Sequence, residues 1–169
     1  VVPAVDPEDQ ILKDIRDVER EDLDGVTAVI HLAALSNDPL GSLDESLTRA
    51  INYEGSMRLG ELAQGARVRR FVYASSQSMY GRAVTDVELE EDSSEKSPLT
   101  AYARTKWEAE QGLMALRVPG FEVTAMRPST VYGASPRLRS DIVFNNFVMC
   151  AYSTGTIEIK SDGTPRRPA

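Results

Sequence analysis

One cysteine, Cys150, and one histidine, His31, are all the thiol and imidazole this chain carries. A lone cysteine forms no internal disulfide, and no paired Cys/His spacing offers a zinc site, so no metal is expected and a reducing cytoplasm is the expected compartment. Long apolar runs are missing as well: none approaches the ~20 residues needed to span a bilayer, and no signal-like start is read at the first residues. Basic charge is in deficit, 19 Lys and Arg against 26 Asp and Glu, for a formal net charge of −7. Nucleic acid and anionic membrane surfaces both attract basic proteins, so neither is expected as a partner. There is also no internal repeat and no low-complexity tract.

The chain does have 169 residues with 41% hydrophobic content, sufficient for one sizeable core. Three apolar runs rich in β-branched and aromatic residues read as buried strands: "VTAVIHLAAL" (26–35), "VRRFVYASS" (68–76) and "FEVTAMRPS" (121–129), with "QILKD" (10–14) a weaker fourth. Two helical patterns lie between them. Residues 42–66 open on Ser42 with Glu45 at capping-box spacing, and residues 97–116 carry Pro98 near the start and Pro119-Gly120 at the end. Alternating strands and helices predict an α/β fold with a parallel sheet, since parallel neighbours need a crossover and a helix supplies it. The acidic stretch at 87–98 reads as a surface loop.

In such sheets ligands gather at the carboxyl ends of the strands. Here the three runs end in "HLAALS", "ASSQSMYG" and "RPSTVYG", all small or polar turns that a flat ligand could approach closely. The segment "AYARTK" follows the second of them, and its Tyr102 and Lys106 are one helical turn apart on one face.

These motifs resemble the extended short-chain dehydrogenase/reductase family, in particular its NAD-dependent epimerase/dehydratase enzymes acting on nucleotide sugars. The resemblance rests on ordered pieces along most of the chain: "KDIRD" (13–17), "VIHLAAL" (29–35), "INYEG" (51–55), "FVYASSQSMYG" (71–81), "YARTK" (102–106), "RPSTVYG" (127–133) and "SDGTPRR" (161–167). It implies a Rossmann-like, doubly wound parallel sheet that here lacks the glycine-rich N-terminal βαβ and most of the C-terminal substrate region. Residues 1–134 would be a partial dinucleotide-binding domain and 135–169 the start of the substrate-binding region. The cofactor implied is NAD, with NADP possible. Asp14 and Ile15 would flank the adenine, Ala33 and Ala34 would line the dinucleotide, and Asn52 would be a structural or cofactor-side residue. Ser76, Tyr102 and Lys106 would be catalytic, Tyr102 and Lys106 also touching the cofactor. Pro128 and Ser129 would lie near the nicotinamide carboxamide. On the substrate side would stand Ser76, Gln77, Arg137, Asn145 and Arg167, and a homodimer would form through the helices at 42–66 and 97–116.

The chemistry accounts for the residue types. A free phenol titrates near ~10, too high for a base at neutral pH, and a lysine ammonium beside it favours the phenolate. Ser76 would steady the sugar oxygen as it becomes a carbonyl. Dehydratases of the family resemble one another in an Asp-Glu pair after that serine, whereas Gln77 and Ser78 stand here. Neither works as a carboxylate acid or base, so epimerisation through a transient keto sugar is the expected reaction. A ketoreductase and a non-catalytic cofactor-binding subunit are the alternatives. His31, Tyr80, Tyr132 and Trp107 are expected to pack rather than react.

Overall fold

The computed structural model describes residues 10–36, 44–81, 88–136, 138–159 and 162. The chain divides into two compact units, Ile11–Pro128 and a second that takes in the residues from Ser129 on.

The first unit is built on a parallel sheet of three strands in the order β1 (Ala28–His31), β2 (Arg70–Ala74), β3 (Glu122–Met126). Ala28 pairs with Arg70 and His31 with Tyr73, while Arg70 pairs with Glu122 and Ala74 with Met126. The crossover from β1 to β2 runs through α1 (Glu45–Arg49), a π-helical segment (Ala50–Gly55) and α2 (Ser56–Gly65); that from β2 to β3 runs through α3 (Ala101–Ala115). Period-two alternation sends Phe71, Tyr73 and Val123 to one face, where they meet Leu59 and Ala63 of α2 and Ala109 and Leu113 of α3. Burying each of the larger apolar side chains contributes roughly 1.5–3 kcal/mol. The opposite face carries exposed Ile30 and Met126, so the described residues supply one of the two helical layers of a doubly wound sheet.

Glycine makes the helix pair possible. A Cβ at Gly60 would overlap Leu113 Cδ2, and one at Gly112 would overlap Met57 Sδ, so α2 and α3 approach through two notches. These residues weaken helix propensity in the sequence and are retained for packing.

Two local expectations change, and a third falls outside the described residues. Residues 10–14 form no strand; Asp14 caps a 3-10 turn (Ile15–Asp17) by accepting from Arg16 N, which draws the backbone into a turn. The first crossover helix, where described, is capped by Asp44, whose Oδ1 accepts from Leu47 N at 2.9 Å; the box expected at Ser42 lies outside the described residues. Helix α3 starts after Thr100, whose Oγ1 accepts from Ala103 N, so Pro98 precedes the helix and is not part of its first turn.

In the second unit, α4 (Val143–Thr154) ends at Gly155 in the left-handed conformation. Tyr132 stacks on Phe144 with centroids 4.5 Å apart.

Candidate active site

The C-terminal end of β2 is the organising point. Beyond Ala74 the chain stays hydrogen-bonded to the segment after β3: Ser75 N donates to Met126 O (2.7 Å) and Gln77 N to Pro128 O (3.3 Å). Between them Ser76 opens a short 3-10 turn (Gln77–Tyr80), its Oγ accepting from Ser78 N at 3.1 Å and lying 2.8 Å from Ser78 Oγ. Gly81 closes the turn at φ 73°, where a Cβ would overlap the Ser97 carbonyl oxygen.

Helix α3 brings its first two turns to the same place. Lys106 is buried, and its Nζ donates to Ala74 O at 2.6 Å and sits 4.6 Å from the centre of the Tyr73 ring. Burial lowers its pKa to about 8, because the charged form loses its hydration. Tyr102 stands one turn earlier on the same helix, half-buried. The Tyr73 phenol beneath is pushed up, by burial foremost.

A buried polar group supports this corner from below. His31 Nε2 lies 2.7 Å from Ser56 Oγ, which donates to Asn52 O at 2.7 Å. Burial, followed by the nearby Lys106 charge, lowers His31 to about 4, so it is neutral at physiological pH and packs as expected. Asn52 is buried within the π-helical segment; its Oδ1 accepts from Leu35 N at 2.8 Å and its Nδ2 donates to Leu35 O at 3.1 Å. Its carboxamide therefore holds the loop that follows Ala33 and Ala34. Those two alanines are exposed and half-buried, respectively.

The remaining expected site residues fall as follows. Asp14 is exposed and accepts from Arg16 Nε (2.9 Å) and Nη2 (2.8 Å), which with the Arg16 N–H hold its carboxyl at about 2. Ile15 packs against the core. Asn145, at the start of α4 in the second unit, accepts from Gly133 N and donates to Arg139 O, both at 2.9 Å, and so braces the loop between them. Ser129 is half-buried at the start of that unit. Arg137 and Arg167 lie outside the described residues.

Two residues, Glu110 and Arg127, carry no expectation from the sequence. Glu110, 4% exposed, accepts from Ser75 Oγ (2.5 Å) and from Arg127 Nε and Nη2, the latter at 2.5 Å. Arg127 also donates to Tyr80 Oη and Glu91 O, each at 2.6 Å. The signal available in the sequence was Glu110 four residues after Lys106, which places both on one helix face.

The donor set fits a dinucleotide at its nicotinamide end. Of the three N–H bonds of Lys106, Ala74 O accounts for one, which leaves donors for a ribose hydroxyl and a phenolate. No group of three or more potential metal ligands occurs among the described residues, and none of their helices is long and apolar enough to cross a membrane.

A model of the NAD dependent epimerase/dehydratase family matches residues 9–169. A UDP-glucuronate 4-epimerase of Thermodesulfobacterium geofontis is 32% identical over 151 residues, 84% of this chain and 43% of that protein. Among solved structures, MoeE5 in complex with UDP-glucose and NAD superposes with a TM-score of 0.71 at 31% identity, over 83% of this chain and 46% of its own. TunA, an NAD dependent NDP-hexosamine 5,6-dehydratase involved in tunicamycin biosynthesis, superposes with a TM-score of 0.81 at 27% identity, over 99% of this chain and 55% of its own. The chain thus spans about half the length of the proteins it matches.

Proposed function

The chain belongs to the NAD dependent epimerase/dehydratase family, and from that premise we propose that the full-length protein is an NAD-dependent nucleotide-sugar epimerase whose reacting groups are Ser76, Tyr102 and Lys106. The observation that carries this reading is the buried Lys106 ammonium, tied to Ala74 O two residues before Ser76 and one helical turn from Tyr102. When bound, NAD supplies the position that accepts the hydride of a sugar carbon and returns it. Tyr102 takes the proton of the sugar hydroxyl and gives it back on the return step. Lys106 lowers the cost of the phenolate by its charge and holds a ribose hydroxyl. Ser76 Oγ, already accepting from Ser78 N, turns its own proton toward the sugar oxygen.

Ala33, Ala34, Asp14, Ile15, Pro128 and Ser129 are assigned to the cofactor side, with Asn52 acting through the loop it holds. Gln77, Arg137, Asn145 and Arg167 are assigned to the substrate side, with 1–134 as the dinucleotide-binding part and 135–169 as the start of the substrate part. Epimerisation is favoured over dehydration because the turn after Ser76 carries Gln77 and Ser78, with a hydroxyl and no carboxylate 2.8 Å from Ser76 Oγ. A cytoplasmic homodimer, formed through the helices at 42–66 and 97–116, completes the reading, the single cysteine being in keeping with that compartment.

The test is to incubate full-length protein with catalytic NAD and a panel of nucleotide sugars, following the sugar by NMR and the cofactor by absorbance. An inverted sugar with no net NADH is expected, and Tyr102→Phe should lower turnover by roughly 10²–10⁴-fold while NAD affinity holds. A 4-keto-6-deoxy product would overturn the argument from Gln77 and Ser78. Stoichiometric use of reduced cofactor would make the protein a ketoreductase.

A further inference from the structure

The Ser75–Glu110–Arg127 cluster lies just behind the reacting groups. A buried ion pair is seldom worth more than an apolar pair of the same volume, so stability is a weak account of it. Its connections suggest another. Lys106 and Glu110 project from one face of α3, and each makes a bond to the end of β2: Lys106 Nζ to Ala74 O at 2.6 Å, Glu110 Oε2 from Ser75 Oγ at 2.5 Å. These are two rungs, one helical turn apart, between the helix that carries Tyr102 and the strand end that carries Ser76. Arg127, at the end of β3, grips Glu110 with Nε and Nη2 and spends Nη1 on Tyr80 Oη, in the turn that Ser76 opens, and on Glu91 O. Core packing of Ala109 and Leu113 holds the middle of α3, but with one rung alone its first turns would be tied to the strand end only at Ala74. Two rungs and a brace from β3 fix both its height and its rotation, and with them the separation of Tyr102 from Ser76.

We propose that Glu110, held by Arg127 and bonded to Ser75, is a positioning residue that sets Ser76 against the Tyr102–Lys106 helix. This rests on the reaction proposed above for those three groups. Misplacement of a reacting group by about 1 Å can cost on the order of 10² in rate, so a loosened rung acts on turnover before it acts on binding.

The test uses full-length protein with Ser75→Ala, Glu110→Leu and the double variant. Ser75→Ala removes one hydroxyl and serves as the gentle cut should Glu110→Leu fold poorly. Two readouts are needed: kcat and KM with the nucleotide sugar that wild type converts, and hydrogen exchange at the Gln77 and Ser78 amides, which requires no substrate. Each single variant is expected to lower kcat by roughly 10–100-fold with KM and NAD affinity within about threefold, to speed exchange at 77 and 78 by about tenfold, and the double variant to be no worse than Glu110→Leu. Exchange unchanged within about twofold in Ser75→Ala overturns the inference, as does an unchanged kcat in a variant whose melting temperature has fallen. If wild type converts no nucleotide sugar, the proposed reaction fails and the exchange result alone decides whether the tether exists.

Discussion

Replacing Lys106 by methionine should flatten the alkaline side of the stability profile. The side chain is 3% exposed, and burial brings its pKa to about 8, against 10.5 for an ordinary lysine. Between those values the unfolded chain still holds the proton that the folded chain has released, so stability rises with pH across that window. Below pH 8 both states are protonated and the buried ammonium is a standing cost. The gap of about 2.5 pH units, at about 1.4 kcal/mol each, amounts to roughly 3 kcal/mol, of which about 2.5 is regained between pH 7 and pH 10. Methionine has similar length and no charge, and leaves the rest of the titrating groups in place. Urea denaturation of full-length wild type and Lys106→Met, in steps from pH 7 to pH 10 without cofactor, isolates the contribution, because other ionisations cancel in the difference. Wild type should gain about 2.5 kcal/mol on the variant over that range. A difference constant to within about 0.5 kcal/mol would refute the reasoning: the Ala74 carbonyl and the Tyr73 face would then be offsetting the lost hydration in full. The cost has a counterpart in the proposed reaction, in which a lysine charged at neutral pH one helical turn from Tyr102 favours its phenolate.

His31, lowered to about 4 mainly by burial, should act on the acid side: its unfolded form binds a proton as pH falls below 6.5 while the folded form resists, so stability is lost from pH 6.5 towards 4. His31→Gln should remove about 2.4 kcal/mol of that acid sensitivity in denaturation measured at pH 7 and pH 4.5. Two glycine-to-alanine changes in α2, one at its middle and one at its C-terminal end, should have opposite signs in thermal denaturation. Gly60→Ala should destabilise by about 1–2 kcal/mol, because the overlap with buried Leu113 exceeds the gain in helix propensity. Gly65→Ala meets nothing within 4 Å and should stabilise by about 0.4–1 kcal/mol.

Patterns with a local cause were legible in the chain itself. Hydrophobic runs of β-branched and aromatic residues located β1, β2 and β3 because a strand buried on a face must be apolar whatever lies opposite. Their actual lengths are shorter than the runs, Arg70–Ala74 within 68–76 for example, because a strand ends where its neighbour stops pairing. The spacing of Tyr102 and Lys106 announced a shared helix face, since 3.6 residues per turn is a property of the backbone.

What only the tertiary structure decided depends on partners distant in the chain. Gly60 and Gly112 carry no evident role in the sequence; with α2 and α3 laid together, each is the space for the other helix's side chain. Asn52, expected as a structural or cofactor-side residue, has its partner fixed only by the fold, where Leu35, 17 residues away, takes both ends of its carboxamide. Lys106 gains a depressed pKa only because the fold closes Ala74, Tyr73 and His31 around it, and desolvation depends on everything within reach and not on neighbours in sequence. Glu110 and Arg127, 17 residues apart, become one unit with Ser75 because a helix and two strand ends converge there. Local geometry repeats along a chain and can be read from it; the meeting of distant segments is set by the packing of the whole core, in which each contact depends on all the others.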